Sequence, residues 1–398
     1  MIINKHSIAF ISLLLFHFMI LLFLVDGYSI SYNEAEIFFN QSNLLSHIID
    51  ISTSIFGQND YGLRLPFILS YTLSSILIYL ITFDYFKRQR DRFISLSIFM
   101  LLPGLNSAAL LVNNSIIIVF LTLLFIYLYK KENKLYIFLL PIYLFIDNSF
   151  AILFLALFFF ALKNKNNYLL IYNLILFGIS MSIYGFDIGG IPRGYFIDTF
   201  SIYATIFSPV LFLYFFYAIY RIGLKWDKDI FWYISITALG LSLLFSLRQK
   251  IQIEDFAPFV VISIPIMTKL FIHSLRVRLK EFRKPHIYVL RIAIGVLLFN
   301  FILFVYNKPL YLVLDEPNKH FAYKYNIAKE LSLELKGLNI NSLHTNDEEM
   351  KLRLLFYGIG YSNDKFLTSN NVNIADFTIP INYYGKTINT FYIIDQKK

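Results

Sequence analysis

The 398-residue chain contains no cysteine, which excludes structural disulfides and thiolate metal sites. Charge is scarce: 15% of the residues are Asp, Glu, Lys or Arg, against about 25% in soluble globular domains. No glycine-rich phosphate loop follows a strand pattern, so ATP-driven chemistry has no support. His6, His17, His273, His286, His320 and His344 are scattered with no metal-ligand spacing. No internal repeat is visible, so an inverted-repeat transporter gains no support. No small-residue cleavage site follows the first apolar run. Asp26-Gly27-Tyr28 does not fit one, and Ile8–Val25 reads as a retained first helix rather than a signal peptide.

What is present is apolar. Hydrophobic residues make up 57% of the chain, 43 of them Phe, and the mean hydropathy is +0.61. They cluster in runs separated by short polar punctuation, near the length that crosses a hydrocarbon core of about 30 Å. The runs are 8–25, 64–83, 93–111, 115–129, 135–146, 150–162, 168–184, 202–220, 230–246, 257–272 and 287–305. The expected fold is therefore an all-α polytopic membrane protein of about eleven transmembrane helices. The runs 135–146 and 150–162 are short; they are either two crossings meeting at Asp147-Asn148 or a single span, and the choice sets the side of the C-terminus.

The net charge of +9 lies in short loops between apolar runs, where it sets orientation rather than binding nucleic acid. With the N-terminus in the cytoplasm, the inner loops 84–92, 130–134, 163–167, 221–229 and 273–286 hold about 17 Lys and Arg. The opposite loops hold Arg64, Arg193, Arg248 and Lys250. The positive-inside rule supports this orientation in a bacterial inner membrane, and 135–146 and 150–162 as separate crossings. Two domains are expected. Residues 1–305 form the membrane domain, whose external loop 26–63 carries amphipathic interfacial helices. Residues 306–398 form a small periplasmic α/β domain, with helices at 321–335 and 347–357, a strand at 342–344, and a hairpin of 377–381 and 387–394 around Gly385.

Ionisable residues at membrane depth are functional candidates. The first cluster is Tyr32-Asn33-Glu34-Ala35-Glu36. A carboxylate there acts either as a general base or as part of a helix cap, with Asn33 capping and Glu36 three residues on. Arg64, in Arg64-Leu65-Pro66, either pairs with Glu34 or a phosphate, or snorkels from a helix end with Pro66 in the first turn. Arg248 and Lys250 offer two cations to an anionic head group, or form loop ion pairs with Glu254 and Asp255. Asn113-Asn114 make a polar turn at the outer end of two helices.

This arrangement resembles the GT-C superfamily of polyprenyl-phosphate-dependent glycosyltransferases, especially the family of protein mannosyltransferases and the lipid A aminoarabinose transferase. Asn33-Glu34 with Ile37-Phe38 stand where that family has an acidic pair followed by an aromatic. Arg64-Leu65-Pro66 matches its second-helix start, Leu101-Leu102-Pro103 its helix with an outer proline, and Asn113-Asn114-Ser115 a polar turn that often holds Asp. Arg248, Lys250, Pro258 and Pro265 look similar to its late basic cluster and spaced prolines. The match covers roughly residues 8–272. Asn33 departs from the pattern, since an amide cannot take the acceptor's proton, and the C-terminal region is short for the family.

The resemblance implies a GT-C-like membrane glycosyltransferase that moves a sugar from a polyprenyl phosphate to a periplasmic glycan, lipid A or protein acceptor. It implies membrane lipid as a partner, no nucleic acid, no nucleotide, and either no cofactor or a divalent cation. Glu34 would be the base, unless the acceptor is already an anion or the chain is inactive. Arg248, Lys250, Arg64, Asn113, Asn114 and Tyr32 would bind substrate or phosphate. The reading requires the segments around Glu34 and Arg248 to close over an apolar groove. The alternatives are a polysaccharide polymerase or flippase, or a catalytically degenerate relative. A flippase should carry cations within several helices, and a polymerase one very large loop in mid-chain.

Overall fold

The computed structural model describes residues 5–185, 194–370 and 375–396. Arg193 and the His6 side chain lie outside the described residues. In chain order the helices begin with α1 (Lys5–Gly27), α2 (Tyr32–Asn40), α3 (Leu44–Phe56), α4 (Asp60–Tyr85), α5 (Gln89–Met100) and α6 (Pro103–Leu110). There follow α7 (Ser115–Lys130), α8 (Leu135–Leu144), α9 (Phe150–Lys163), α10 (Asn167–Tyr184), α11 (Phe196–Phe207) and α12 (Pro209–Lys225). Next come α13 (Ile230–Ser246), α14 (Ala257–Val261), α15 (Ile264–Val277), α16 (Arg283–Val305), α17 (Ala328–Gly337) and α18 (Glu348–Phe356). The strands are β1 (Ser342–Thr345), β2 (Gly360–Thr368), β3 (Phe377–Tyr383) and β4 (Lys386–Asp395). The chain divides into two compact units, one of Met1–Phe16, Leu69–Ala109 and Asn113–Phe301, the other of His17–Ile68, Leu110–Val112 and Ile302–Lys398. This grouping differs from a division at 305/306 in joining the first external loop to the C-terminal region.

Each of the eleven apolar runs is helical, but they are not equal. Among the described residues, five stretches are long and apolar enough to cross a membrane: Ser7–Gly27, Asp60–Tyr85, Asn167–Tyr184, Ala257–Val277 and Lys280–Val305. Two more qualify as bent pairs, raising the number to seven. The pair α5 and α6 bends by 56° at the break before Pro103, and α11 and α12 bend by 106°. The second break falls at Ser208, whose φ of 78° takes it out of the helical region just before Pro209. The remaining runs, α7, α8, α9 and α13, are apolar helices of 10–17 residues. At 1.5 Å per residue these fall short of a hydrocarbon core of about 30 Å.

Lipid is the solvent that makes these helices stable. Only 11% of the apolar window of α16 and 22% of that of α10 is buried in protein. Ile171, Leu174, Ile175 and Ile179 of α10 and Val289, Ile292, Phe299 and Ile302 of α16 lie exposed. Water would not tolerate apolar stripes of that size.

The other unit decides a question of topology. Just past α1, the Tyr28 hydroxyl donates to the carbonyl of Phe304 at 3.3 Å and accepts from Asn307 Nδ2 at 2.7 Å. The C-terminal ends of α1 and α16 therefore share one face. Residues 26–63 and 306–398 lie on the same side of the membrane those helices cross. That placement needs an odd number of spans, a condition that five, seven or eleven crossings all meet.

The C-terminal region is a four-stranded sheet of order β1-β2-β4-β3. β1 and β2 are parallel, joined across α18, and β4 runs antiparallel to both β2 and β3. Leu331 and Leu335 of α17, Leu354 of α18, and Leu343, Leu367, Ile379, Phe391 and Ile393 of the strands close its core. The expected strand, second helix and hairpin are present. β2 was not expected, because its polar stretch Ser362-Asn363-Asp364 carries no apolar alternation; pairing on both sides makes it a strand. The helix expected from Phe321 begins at Ala328 instead, since residues 317–325 form single 3₁₀ turns pinned by His320, whose ring bonds the Asn307 carbonyl at 2.9 Å and the Ala322 amide at 3.0 Å.

The cysteine-free chain makes the topology directly testable. In intact cells, Ser42→Cys and Glu334→Cys, both at exposed positions, should be labelled by a membrane-impermeant maleimide to the same extent. Labelling of one and protection of the other would break the shared-face assignment.

Candidate functional site

The loop after α1 becomes ordered through its own chemistry. Ser31 adopts extended backbone and caps α2: its hydroxyl accepts from the Glu34 amide at 3.3 Å, and Glu34 Oε2 accepts from the Ser31 amide at 2.8 Å. This is a capping box, two residues earlier than the Asn33–Glu36 register expected above. Asn33 is left exposed, and Tyr32 and Glu36 are half-buried. A tight turn then starts α4. Gly57 sits at φ 85°, and a Cβ on Gly62 would lie 2.3 Å from the Gly57 carbonyl, so only glycine fits both positions. Asn59 Oδ1 accepts from the Gly62 amide at 2.8 Å, and the helix begins at Asp60. Pro66 consequently lies inside the helix, one turn deeper than the first-turn position expected.

This start places Asp60 and Arg64 on one face, and Arg64 is fully buried. Its Nη2 meets Glu34 Oε2 at 3.2 Å and the Ser29 carbonyl at 3.0 Å, while Nη1 meets the Tyr28 carbonyl at 2.5 Å. Asp60 lies 3.9 Å from Nη1. The other Glu34 oxygen accepts from the Val112 amide at 3.1 Å. Glu34 is 2% exposed, with hydrogen-bond donors on both oxygens.

The C-terminal region completes the cluster. Arg353 Nε donates to the Ile30 carbonyl at 2.9 Å, and the Ile30 amide donates to Tyr357 Oη at 2.9 Å. Tyr357 in turn donates to Asp60 Oδ1 at 2.7 Å. Lys329 reaches Asp60 Oδ2 at 3.0 Å and Asp26 Oδ1 at 2.8 Å. Burial works against the Lys329 ammonium, but Asp26 and Asp60 outweigh it and hold its pKa above the usual lysine range. Burial, reinforced by Asp60, pushes the Tyr357 phenol well up. Three carboxylates, Asp26, Glu34 and Asp60, thus face three cations, Arg64, Lys329 and Arg353, around the strand-like segment 28–31.

The remaining candidates fall in the other unit. Asn113 Oδ1 accepts from the Ser115 amide at 3.0 Å, turning the chain into α7. Asn114 Nδ2 donates to Asp147 Oδ2 at 2.6 Å, and Asp147 Oδ1 accepts from the Ser149 amide at 2.9 Å. Ser115 Oγ donates to the Glu254 carbonyl at 3.3 Å. Beside these turns lies a cavity of about 430 Å³. Ile152, Leu155, Phe177, Met181, Leu241 and Phe245 give it apolar walls, and Gln249, Lys250, Gln252 and Asp255 stand among its polar lining. Lys250 therefore borders the cavity, while Arg248 is exposed outside its lining. Among the described residues, neither cation forms an ion pair with Glu254 or Asp255.

Asp255 is the residue that sequence reasoning passed over as a loop counter-ion. Burial, with Asp147 and Glu254 nearby, raises its carboxyl to about 7. Burial likewise raises Glu254. The signal in the sequence was its place directly before the apolar Phe256–Val261 run. Among the described residues no three His, Asp or Glu side chains gather into a metal-ligand set. The site residues divide between the two units: Tyr32, Asn33, Glu34 and Arg64 in one, Asn113, Asn114, Arg248 and Lys250 in the other.

Residues 40–146 match the family model for dolichyl-phosphate-mannose-protein mannosyltransferase. The match supports a GT-C-like glycosyltransferase and includes Arg64, Asn113 and Asn114; Tyr32, Asn33, Glu34, Arg248 and Lys250 lie beyond it. No curated protein matches the chain, and no solved structure does.

Two outcomes follow from this geometry. Arg64→Met leaves Glu34 buried without its cation and two carbonyls without donors, and should cost about 3–5 kcal/mol, read as a lowered thermal midpoint in detergent; an unchanged midpoint would contradict the fastening role. Asp255 binds its proton more tightly folded than unfolded. Between its unfolded pKa, about 3.9, and about 7, the folded state holds more protons, so stability should fall as pH rises through that window and then level off. The midpoint of Asp255→Asn measured from pH 5 to 8 should lose that slope.

Proposed function

We propose that this chain is an integral-membrane glycosyltransferase that moves a sugar from a polyprenyl-phosphate donor to a glycan, lipid A or protein acceptor on the outer face of a bacterial inner membrane. The observation that carries the reading is the match of residues 40–146 to a family named for sugar transfer from a prenyl phosphate. The cavity beside Asn114 and Asp147 supports it physically. Its walls suit an isoprenoid chain, and Lys250 stands at its polar part as a point charge for a phosphate.

In such a transfer the bond between sugar C1 and the phosphate oxygen breaks, and the acceptor oxygen bonds to C1. Negative charge develops on the departing prenyl phosphate, where one well-placed cation is worth about 2–4 kcal/mol. Lys250 takes that role, with Arg248 adding long-range attraction from its exposed position. The acceptor's proton must go to a base. Glu34 serves only if the turn that buries it opens, because its side chain is 3% exposed and donors occupy both oxygens. Asp255 needs no such opening: it lines the cavity, and a pKa of about 7 suits proton transfer at neutral pH. Asn33 is exposed but cannot accept the proton at its amide.

The test is transfer of radiolabelled sugar from a synthetic polyprenyl phosphate by purified protein in nanodiscs. Lys250→Ala should lower kcat/KM about 10²-fold, and loss of the base should lower kcat about 10²–10⁴-fold. Asp255→Asn with low kcat and a midpoint no lower than that of the native chain assigns the base to Asp255. Glu34→Gln with the same behaviour assigns it to Glu34, whereas a fall in midpoint marks Glu34 as a fastener. No transfer by the native chain from any prenyl-phosphate sugar would remove the assignment.

A further inference from the structure

A second cleft, of about 440 Å³, takes no part in the reaction above. It lies wholly within the unit that contains the C-terminal sheet, bounded by the end of α1, the segment after α16, α17 and the β3–β4 turn. Its volume is that of small-molecule sites, about 300–1,000 Å³. Its lining is unusual in three respects.

The first is aromatic. Tyr28, Tyr306, Tyr325, Tyr383 and Tyr384 all border it, and Tyr306 and Tyr384 are 65% and 62% exposed, so their ring faces are open. Tyr384 is held there against its preference. With Gly385 it forms the two-residue turn between β3 and β4, and both residues have positive φ, 51° and 81°. Such a turn favours Asn, Asp or Gly at its first position. A bulky ring in the left-handed region is strained, a condition that clusters at ligand sites.

The second is charge that cancels. Lys329 pairs with Asp26 at 2.8 Å, and Lys308 with Glu330 at 3.9 Å. The cleft thus presents fixed donors and acceptors with no net sign, and a phosphate head group gains nothing from it. The third is a pair of buried amides. Asn307 and Asn326 are 5% and 2% exposed. Each is oriented through Nδ2, by Tyr28 Oη at 2.7 Å and Tyr311 Oη at 3.1 Å, and each Oδ1 has no partner. Both Oδ1 atoms are themselves closed off, so the acceptors open to a ligand are the Asp26 and Glu330 carboxylates.

Open aromatic rings and compensated charges that offer both donors and acceptors suit one class of ligand: a ring with an apolar C–H face and hydroxyls that both donate and accept. We propose that this cleft binds a neutral saccharide, stacked on Tyr306 and Tyr384. The alternative is that these tyrosines merely mark the membrane–water boundary, as interfacial aromatics do.

The two are separated by binding, independently of any transfer assay. Saturation-transfer NMR on the full chain in nanodiscs would use N-acetylglucosamine, glucose and galactose as probes, with glycerol 3-phosphate as the anionic comparison. At least one neutral sugar should receive saturation on its ring protons. Tyr306→Ala and Tyr384→Asn should each reduce that signal at least fivefold, while Tyr306→Phe, which keeps the ring, retains it. Tyr384→Asn should leave the thermal midpoint unchanged or raise it, because it relieves the turn, and that result excludes unfolding as the cause of lost binding. Silence from all three sugars with the native chain, equal signals in the tyrosine variants, or a stronger response to glycerol 3-phosphate would each overturn the proposal.

Discussion

The buried ion pair between Arg64 and Glu34 is the interaction on which one half of this protein depends. Fully buried charges are expensive unless paired and hydrogen-bonded, and here both terminal nitrogens of Arg64 and both oxygens of Glu34 have partners. Arg64 holds the carbonyls of Tyr28 and Ser29 as well as Glu34. Arg353 and Tyr357 then take the backbone groups of Ile30. A short segment with no secondary structure of its own thereby has the carbonyls of Tyr28, Ser29 and Ile30 held by Arg64 and Arg353, and the Ile30 and Ser31 amides by Tyr357 and Glu34. Remove one cation, and both a carboxylate and backbone carbonyls are stranded in a dry site.

That arrangement changes how the segments between the apolar helices are best described. The loop after the first helix and the C-terminal sheet form one compact unit, joined through Lys329, Arg353, Tyr357 and the bond from Gln58 Nε2 to the Phe356 carbonyl at 2.8 Å. The helices beside the sheet supply Lys329 and Arg353, with Tyr357 just past α18, and the loop supplies carboxylates and backbone acceptors. Fold and candidate chemistry are coupled in this unit, because Glu34 is at once the third residue of a capping box and the counter-charge of Arg64. In the other unit, the turns that carry Asn114, Asp147 and Asp255 have no buried cation of this kind among the described residues. Burial, with Asp147 and Glu254 adding to it, raises the Asp255 carboxyl to about 7, a value that suits proton exchange near neutral pH.

Much of this was legible from composition and pattern. Apolar runs of membrane length identify helices because a lipid-facing helix must be greasy on every side, a demand written locally in sequence. Their breaks were less visible: Ser208 carries no mark of a sharp bend beyond the Pro209 that follows it. The hairpin around Gly385 showed itself through turn chemistry, whereas β2 did not, since its alternation is polar and its strand character comes from neighbours on both sides. Arg64 and Glu34 stood out as rare charges near apolar runs. That they would meet each other rather than a phosphate was one of two open readings.

Residue pattern alone marks a membrane protein, the course of its apolar helices, and the few charges that stand against the apolar background. These follow from local hydrophobicity and turn preference, which need no knowledge of distant residues. The tertiary structure decided the rest: that the ends of α1 and α16 share a face, that Ser31 rather than Asn33 caps α2, and that Lys250 borders a cavity while Arg248 does not. It also decided that Asp255, and not only Glu34, is a titratable group to consider. Each of these depends on which side chain or backbone group, near or remote in the chain, arrives within about 3 Å, the reach of a hydrogen bond, and chain order does not encode that distance.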